Sequence, residues 1–264
     1  MTKDYWHKQA SGKELFPDLV WSRPENKLHA GKLLIIGGNL HGFSAPALAF
    51  NEALKAGIGT ERVTLPDAIR KTVGSFMPEA EFAPSTPSGS FASRSLDMWL
   101  EHAAWSDAVL IAGDLGRNSE TAIVLESFAA EYHGQLTLTK DAVDYVLTNP
   151  TNILNRDQTL LVLSFAQLQK LASNAKFATA LTFDMDFLRL IDALHEFTEQ
   201  FALHIIVKHL DTLFIAVNGQ VSTTKISDDQ APWRVKTAAH ASVWWLQHPT
   251  QPFEALTTSV ISEQ

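Results

Sequence analysis

The chain has no cysteine, which removes disulfides, thiolate metal sites and cysteine nucleophiles together. That fits a reducing compartment, so a cytoplasmic location is expected. No run reaches 18 consecutive apolar residues, and the first residues lack the apolar stretch of a signal peptide, so no membrane association is expected. Basic charge is in deficit: 21 Lys and Arg stand against 29 Asp and Glu, a formal net charge of -8. Such a balance argues against a dedicated nucleic-acid surface. Glycine is sparse, 13 in 264 residues, and none follows Gly219; no Asp follows Asp229. Repeats, low-complexity tracts and Gly/Ser linkers are missing as well. The histidines His29, His41, His209 and His240 form no metal-spaced pair and read as ordinary polar residues, so no metal is expected.

What is present is an ordinary globular composition, 45% hydrophobic and 19% charged. Residues 1–30 mix polar and aromatic side chains with Pro17 and Pro24 and read as an arm over one domain, residues 31–264. That body alternates short apolar runs with longer amphipathic ones. Strands are expected at 32–36, 61–65, 108–112, 135–138, 159–163, 204–208, 213–217 and 220–224. Helices are expected at 44–56, 68–76, 95–104, 119–132, 141–147, 164–173, 187–201, 237–247 and 253–261. The alternation implies an α/β fold with a central mostly parallel sheet covered on both faces. Asn218-Gly219 predicts a β-hairpin at one edge.

Ligands of such sheets sit beyond the C-terminal ends of the strands. LLIIGGNLHGFSAP joins a strand, a glycine turn and a helix start, where exposed amides can hold an anion; a tight turn that merely needs glycine explains it equally. Ser44 is placed to cap that helix. Asp114, in AGDLG, can bind a cation or hydroxyl, or cap the next turn. Asp141 and Asp144 stand three apart at a helix start in TKDAVDYV, and helix capping is the role expected of Asp141. A concave pocket is expected between the 39–44 and 113–119 loops. Trp233, Trp244 and Trp245 read as buried in a core or interface.

Taken together, His29-Ala30-Gly31, LLIIGGN at 33–39, SAPALAFNEALKAGIG at 44–59, Ala112-Gly113-Asp114-Leu115-Gly116, Asp141-Ala142 and IIVKHLDTLFIAVNG at 205–219 resemble the ADP/ATP-dependent NAD(P)H-hydrate dehydratases of the ribokinase-like superfamily. The resemblance runs from about Arg23 to the C-terminus. It implies a ribokinase-like three-layer α/β/α fold and a nucleotide-repair hydro-lyase, in which a hydroxyl on the hydrated nicotinamide is phosphorylated from ATP or ADP and phosphate is then eliminated. It implies substrate contacts at Asn39, Ala45, Gly116 and Asp141, nucleotide contacts at Lys208 and Thr237, and a homo-oligomer.

The sequence departs from that family where its chemistry sits. The stretch that would carry the family's Gly-Thr-Gly-Asp reads PWRVKTAAHASVWW, with Lys236, Thr237 or His240 near the lost Asp and His240 the nearest substitute base. The family's Thr-Pro-His-x-x-Glu loop has become Ser164-Phe165-Ala166-Gln167, and the Gly of its Lys-Gly pair is His209. Three functions compete: a family enzyme with impaired chemistry, acting on a nucleotide-like small molecule with ATP or ADP; a non-catalytic ligand-binding or scaffolding member; and a small-molecule kinase, which needs the same missing glycines and Asp. Trp233 and Arg234 are expected to fill the gap that nucleotide phosphates would need.

Overall fold

The structure is a computed structural model that describes residues 3–10, 13–75, 77–226 and 233–262. The described residues form ten strands: β1 (Trp6–Gln9), β2 (Lys32–Gly37), β3 (Thr60–Pro66), β4 (Ala80–Ala83), β5 (Ala108–Gly113), β6 (Gln135–Thr139), β7 (Thr159–Ser164), β8 (His204–His209), β9 (Thr212–Val217) and β10 (Gln220–Lys225). The helices are α1 (Pro17–Trp21), α2 (Ser44–Lys55), α3 (Arg70–Val73), α4 (Ser95–Trp105), α5 (Ser119–Glu131), α6 (Asp141–Val146), α7 (Thr151–Leu154), α8 (Phe165–Asn174), α9 (Phe187–Gln200), α10 (Trp233–Gln247) and α11 (Pro252–Ser262).

All ten strands form one sheet, ordered β1-β10-β9-β8-β7-β6-β5-β2-β3-β4. Only β9 runs against its neighbours; every other pairing is parallel. Strand side chains alternate between faces, so a strand covered on both sides must be apolar throughout. In β2, Leu34 and Ile36 pack into the cluster that holds Trp99 of α4, Phe128 of α5 and Leu194 of α9. Leu33 and Ile35 pack into the opposite cluster, with Ala49 of α2, Ala239 of α10 and Leu256 of α11. This is the three-layer α/β/α arrangement. Trp99 is fully buried, its ring edge-on to Phe91 at 4.9 Å and Phe128 at 5.7 Å.

The structure corrects several expectations. β1, from the arm, pairs in parallel with β10, so the hairpin lies one strand in from the edge. Asn218 and Gly219 do turn it, both at positive φ (47° and 77°), as a two-residue hairpin requires. The helix expected over 68–76 is a 3-10 turn, Asp67–Ile69, and the single turn α3; Phe76 lies outside the described residues. α7 was not expected, because four residues are too few to show a helical period. α10 starts at Trp233, four residues before the expected start, since Arg234, Val235 and Lys236 include no helix breaker and Val235 is buried against the sheet.

Candidate functional site

β2 and β5 lie side by side although β3 and β4 come between them in sequence. The chain therefore changes direction across the sheet at β2, and the loops leaving β2 and β5 meet above their C-terminal ends. A crevice for ligands forms at such a switch point. Gly38 adopts φ +84° and its N–H donates to the Gly113 carbonyl at 3.0 Å. The Asn39 side-chain amide donates to the Asp114 carbonyl at 2.5 Å. Gly116, at φ +77°, is packed so closely that a Cβ there would lie 2.9 Å from Ser90 Oγ.

Asp114 reaches across to the start of α2. Its Oδ2 accepts from the Ala45 N–H at 2.7 Å and from Ser44 Oγ at 3.0 Å, while Oδ1 pairs with the Lys140 ammonium. Ser44 therefore does not cap α2; the carboxylate from the neighbouring loop does, where the helix N-terminus favours negative charge. Burial pushes the Asp114 carboxyl up, but Lys140, the Ala45 amide and Ser44 together outweigh it and hold the group below its usual value.

Asp141 stands at the first position of α6, yet it caps the β5 loop instead of its own helix. Its Oδ2 accepts from Leu115 N at 2.9 Å and from Gly116 N at 3.3 Å. Its Oδ1 is buried without a hydrogen-bond partner. Burial, reinforced by the Asp114 charge, raises this carboxyl above its usual value despite the amides and Lys140.

The third corner is built from Gln167. With Ser164 it forms a reciprocal cap at the start of α8, and its amide nitrogen donates to the Lys140 carbonyl at 2.8 Å and to Asp144 Oδ1 at 2.9 Å. Its oxygen accepts from Arg234 of α10 at 3.0 Å. Burial draws the Arg234 guanidinium down from its usual value, and the charges of Asp144 and Asp141 oppose that. Trp233 packs its half-buried ring on the α2–α10 side of the core. His209 is buried against Phe165 with centroids 4.4 Å apart.

Asn39, Ala45, Gly116 and Asp141 are thus gathered at one place, joined by Lys140, Gln167 and Arg234, which sequence reading did not single out as a set. Of the remaining candidates, Lys208 is the last residue but one of β8 and pairs with Ser164 at the end of β7. Thr237 is 1% exposed. His240, seven residues into α10 and so roughly 10 Å from its start, is 3% exposed and bonded to Glu52 of α2 at 3.2 Å. Burial pulls His240 down to about 4, against the opposing pull of Glu52. A nitrogen so enclosed does not face the crevice. Ser44 and Asp114 form the hydroxyl–carboxylate pair here, and a carboxylate already holding an amide and an ammonium is a poor proton acceptor. Among the described residues no group of His, Asp and Glu is arranged to hold a metal ion, and no helix is long and apolar enough to cross a membrane.

No family model matches the chain. In sequence it is similar to bifunctional NAD(P)H-hydrate repair enzymes Nnr. It is 32% identical to that of Methanocaldococcus jannaschii over 117 residues, 44% of this chain and 23% of the other. It is 22% identical to that of Dictyoglomus turgidum over 220 residues, 81% of this chain and 41% of the other. The chain therefore spans less than half the length of these relatives. In structure it is similar to a ribokinase-like superfamily protein of Enterococcus faecalis V583, with a TM-score of 0.72 at 14% identity, covering 99% of this chain and 87% of that one. It is also similar to the ADP/ATP-dependent NAD(P)H-hydrate dehydratase of Bacillus subtilis co-crystallized with ATP/Mg2+, with a TM-score of 0.59 at 13% identity, covering 90% and 79%. The chain has the ribokinase-like fold, and its sequence is similar to NAD(P)H-hydrate repair enzymes.

Proposed function

We propose that this protein is a catalytically impaired relative of the NAD(P)H-hydrate dehydratases, whose crevice serves non-catalytic binding of a small molecule that carries no polyphosphate. The observation that carries this reading is that the crevice's donors are engaged by the protein's own side chains. A polyphosphate is held by convergent amides and cations. Here the Ala45 amide and Lys140 are held by Asp114, the Leu115 and Gly116 amides by Asp141, and Arg234 by Gln167. Asp114, Asp141 and Asp144 add three carboxylates that would repel phosphate oxygens. The residues present do not fit ATP or ADP.

The test combines two measurements on the purified protein. With hydrated NADH and either ATP or ADP, recovery of NADH absorbance is expected to be absent or several orders of magnitude slower than for a family enzyme. Losing a positioned acid/base alone costs about 10²–10⁴ in rate. Calorimetry is expected to show no micromolar affinity for either nucleotide. Turnover of about one per second, within the ordinary range for enzymes, would overturn the reading. If that turnover disappeared in His240→Ala, the base would be the buried histidine; if it persisted, the catalytic loop lies elsewhere. The kinase alternative has no separate support, because it needs the same anion-binding glycines.

A further inference from the structure

A cavity lies at the opposite end of the sheet from β4, on the face covered by α9. It measures about 270 Å³ and is bounded by Trp6 and Lys8 of β1, Thr223 and Lys225 of β10, Thr212 of β9 and Phe187 at the start of α9. The register explains why they meet. Lys8 pairs with Thr223 and Lys225 with Thr212, so alternate residues of three adjacent strands present the same face.

Its walls are aromatic. The Trp6 and Phe187 rings stand at 68° with centroids 5.8 Å apart, and Phe187 continues to Phe214 at 5.3 Å. The polar groups of the walls are already engaged: Trp6 Nε1 donates to Thr223 Oγ1 at 3.0 Å, and Thr212 Oγ1 donates to Asp211 at 3.0 Å. The rim is cationic. Lys225 lies 3.2 Å from one Asp211 oxygen, which engages only part of a three-donor ammonium. Lys8 has no hydrogen-bond or ion-pair partner among the described residues. Among the described residues, two ammonium groups against the one carboxylate of Asp211 leave the rim of this apolar notch net positive in a chain of net charge -8.

We propose that this notch is a binding site for a small aryl carboxylate. The ring would lie against Trp6 and Phe187, and the carboxylate would face Lys8 and Lys225. The volume is just under the roughly 300–1,000 Å³ of sites for drug-sized molecules, which limits the occupant to about one ring and a short acidic arm. An edge-strand lysine also discourages pairing with another sheet, but that role calls for neither a cavity nor aromatic walls. The site is independent of the crevice between β2 and β5, and its failure would leave the reading of that crevice untouched.

The probe is phenylacetate, titrated into the full chain labelled with ¹⁵N, with the Trp6 indole N–H signal identified by its loss in Trp6→Phe. A saturable shift of that signal is expected, and none with benzylamine, which has the same ring and the opposite charge. Lys8→Glu, at an exposed position, is expected to leave the melting temperature unchanged and to weaken phenylacetate by about tenfold, the effect of roughly 1.4 kcal/mol. No saturable shift with phenylacetate up to its solubility limit overturns the proposal. So does equal binding of benzylamine, or unchanged affinity in Lys8→Glu.

Discussion

Asp114 crosses from the loop after β5 to the first turn of α2, where its carboxylate accepts the Ala45 N–H at 2.7 Å. One side chain thereby joins the two loops of the switch point and occupies the helix terminus at which an anion would otherwise dock.

Replacing Asp114 with Ala is expected to cost about 1–2 kcal/mol, the usual worth of a cap with its charge. Asp114→Asn should cost less, because the amide oxygen can still accept. The carboxyl is depressed in the folded state, so its contribution is present above the usual value of 3.8 and is lost as pH falls through the lower folded value. Urea unfolding of wild type and Asp114→Asn at pH 7 and below pH 3.8 checks this. The gap between them should narrow in acid; a constant gap would mean that charge plays no part.

His204 supplies a different pH signature. It is 2% exposed, its ring lies 5.0 Å from that of Trp245, and its Nδ1 has no partner. Burial pulls it down to about 4. A depressed histidine contributes stability above its unfolded value near 6.5 and loses it as pH falls towards 4. The loss is on the order of 3 kcal/mol if the full shift is realised. His240, also near 4, adds to it. His204→Phe should flatten the dependence of unfolding free energy on pH between 6.5 and 4, with the His240 share remaining. An unchanged slope would show that His204 titrates normally.

Gly38 tests the turn after β2. At φ +84°, with Leu65 and Phe43 atoms 3.3 Å from where a Cβ would stand, a side chain meets both backbone strain and crowding. Gly38→Val is expected to cost about 1–3 kcal/mol. Gly42, four residues on, has nothing within 4 Å of an added Cβ, so Gly42→Ala should be close to neutral. Thermal melts of the two variants give the comparison; equal melting temperatures would remove the special status of Gly38.

These turns were legible in sequence because their signals are local. Apolar runs ending in Gly37-Gly38, or interrupted by Asn218-Gly219, announce strand and turn within a few residues. The site's wiring was not legible, because it joins residues far apart in the chain. Lys140 meets Asp114 across 26 positions, and Arg234 meets Gln167 across 67. Asp141 shows the boundary between the two. Its position at a helix start was readable, but the role expected there, capping α6, is not the one it has: the amides it accepts from belong to Leu115 and Gly116. The β1 strand escaped notice for a related reason: Trp6, His7, Lys8 and Gln9, four residues at a sheet edge, carry no apolar run.

Gln167 offers the sharpest test of that wiring. Its two amide atoms serve the Lys140 carbonyl, Asp144, the Ser164 N–H and Arg234 at 2.8–3.0 Å. Gln167→Leu keeps the approximate volume and deletes every one of these bonds, leaving the half-buried Arg234 guanidinium and the exposed Asp144 carboxylate without this partner. A cost of about 2–4 kcal/mol is expected, since unsatisfied buried groups, charged ones above all, carry their full desolvation penalty. Gln167→Glu separates the donor from the acceptor role. At neutral pH its carboxylate can still accept from Arg234 and Ser164, but it has no proton for Asp144 and repels it. When the new side chain is protonated it regains one donor. The stability of Gln167→Glu relative to wild type should therefore recover as pH falls towards 4, whereas the deficit of Gln167→Leu should not. Chemical unfolding of the three proteins at pH 7 and pH 4.5 decides the matter: if Gln167→Leu costs under about 0.5 kcal/mol, the range of an ordinary surface change, then Gln167 does not bridge α6, α8 and α10 in solution.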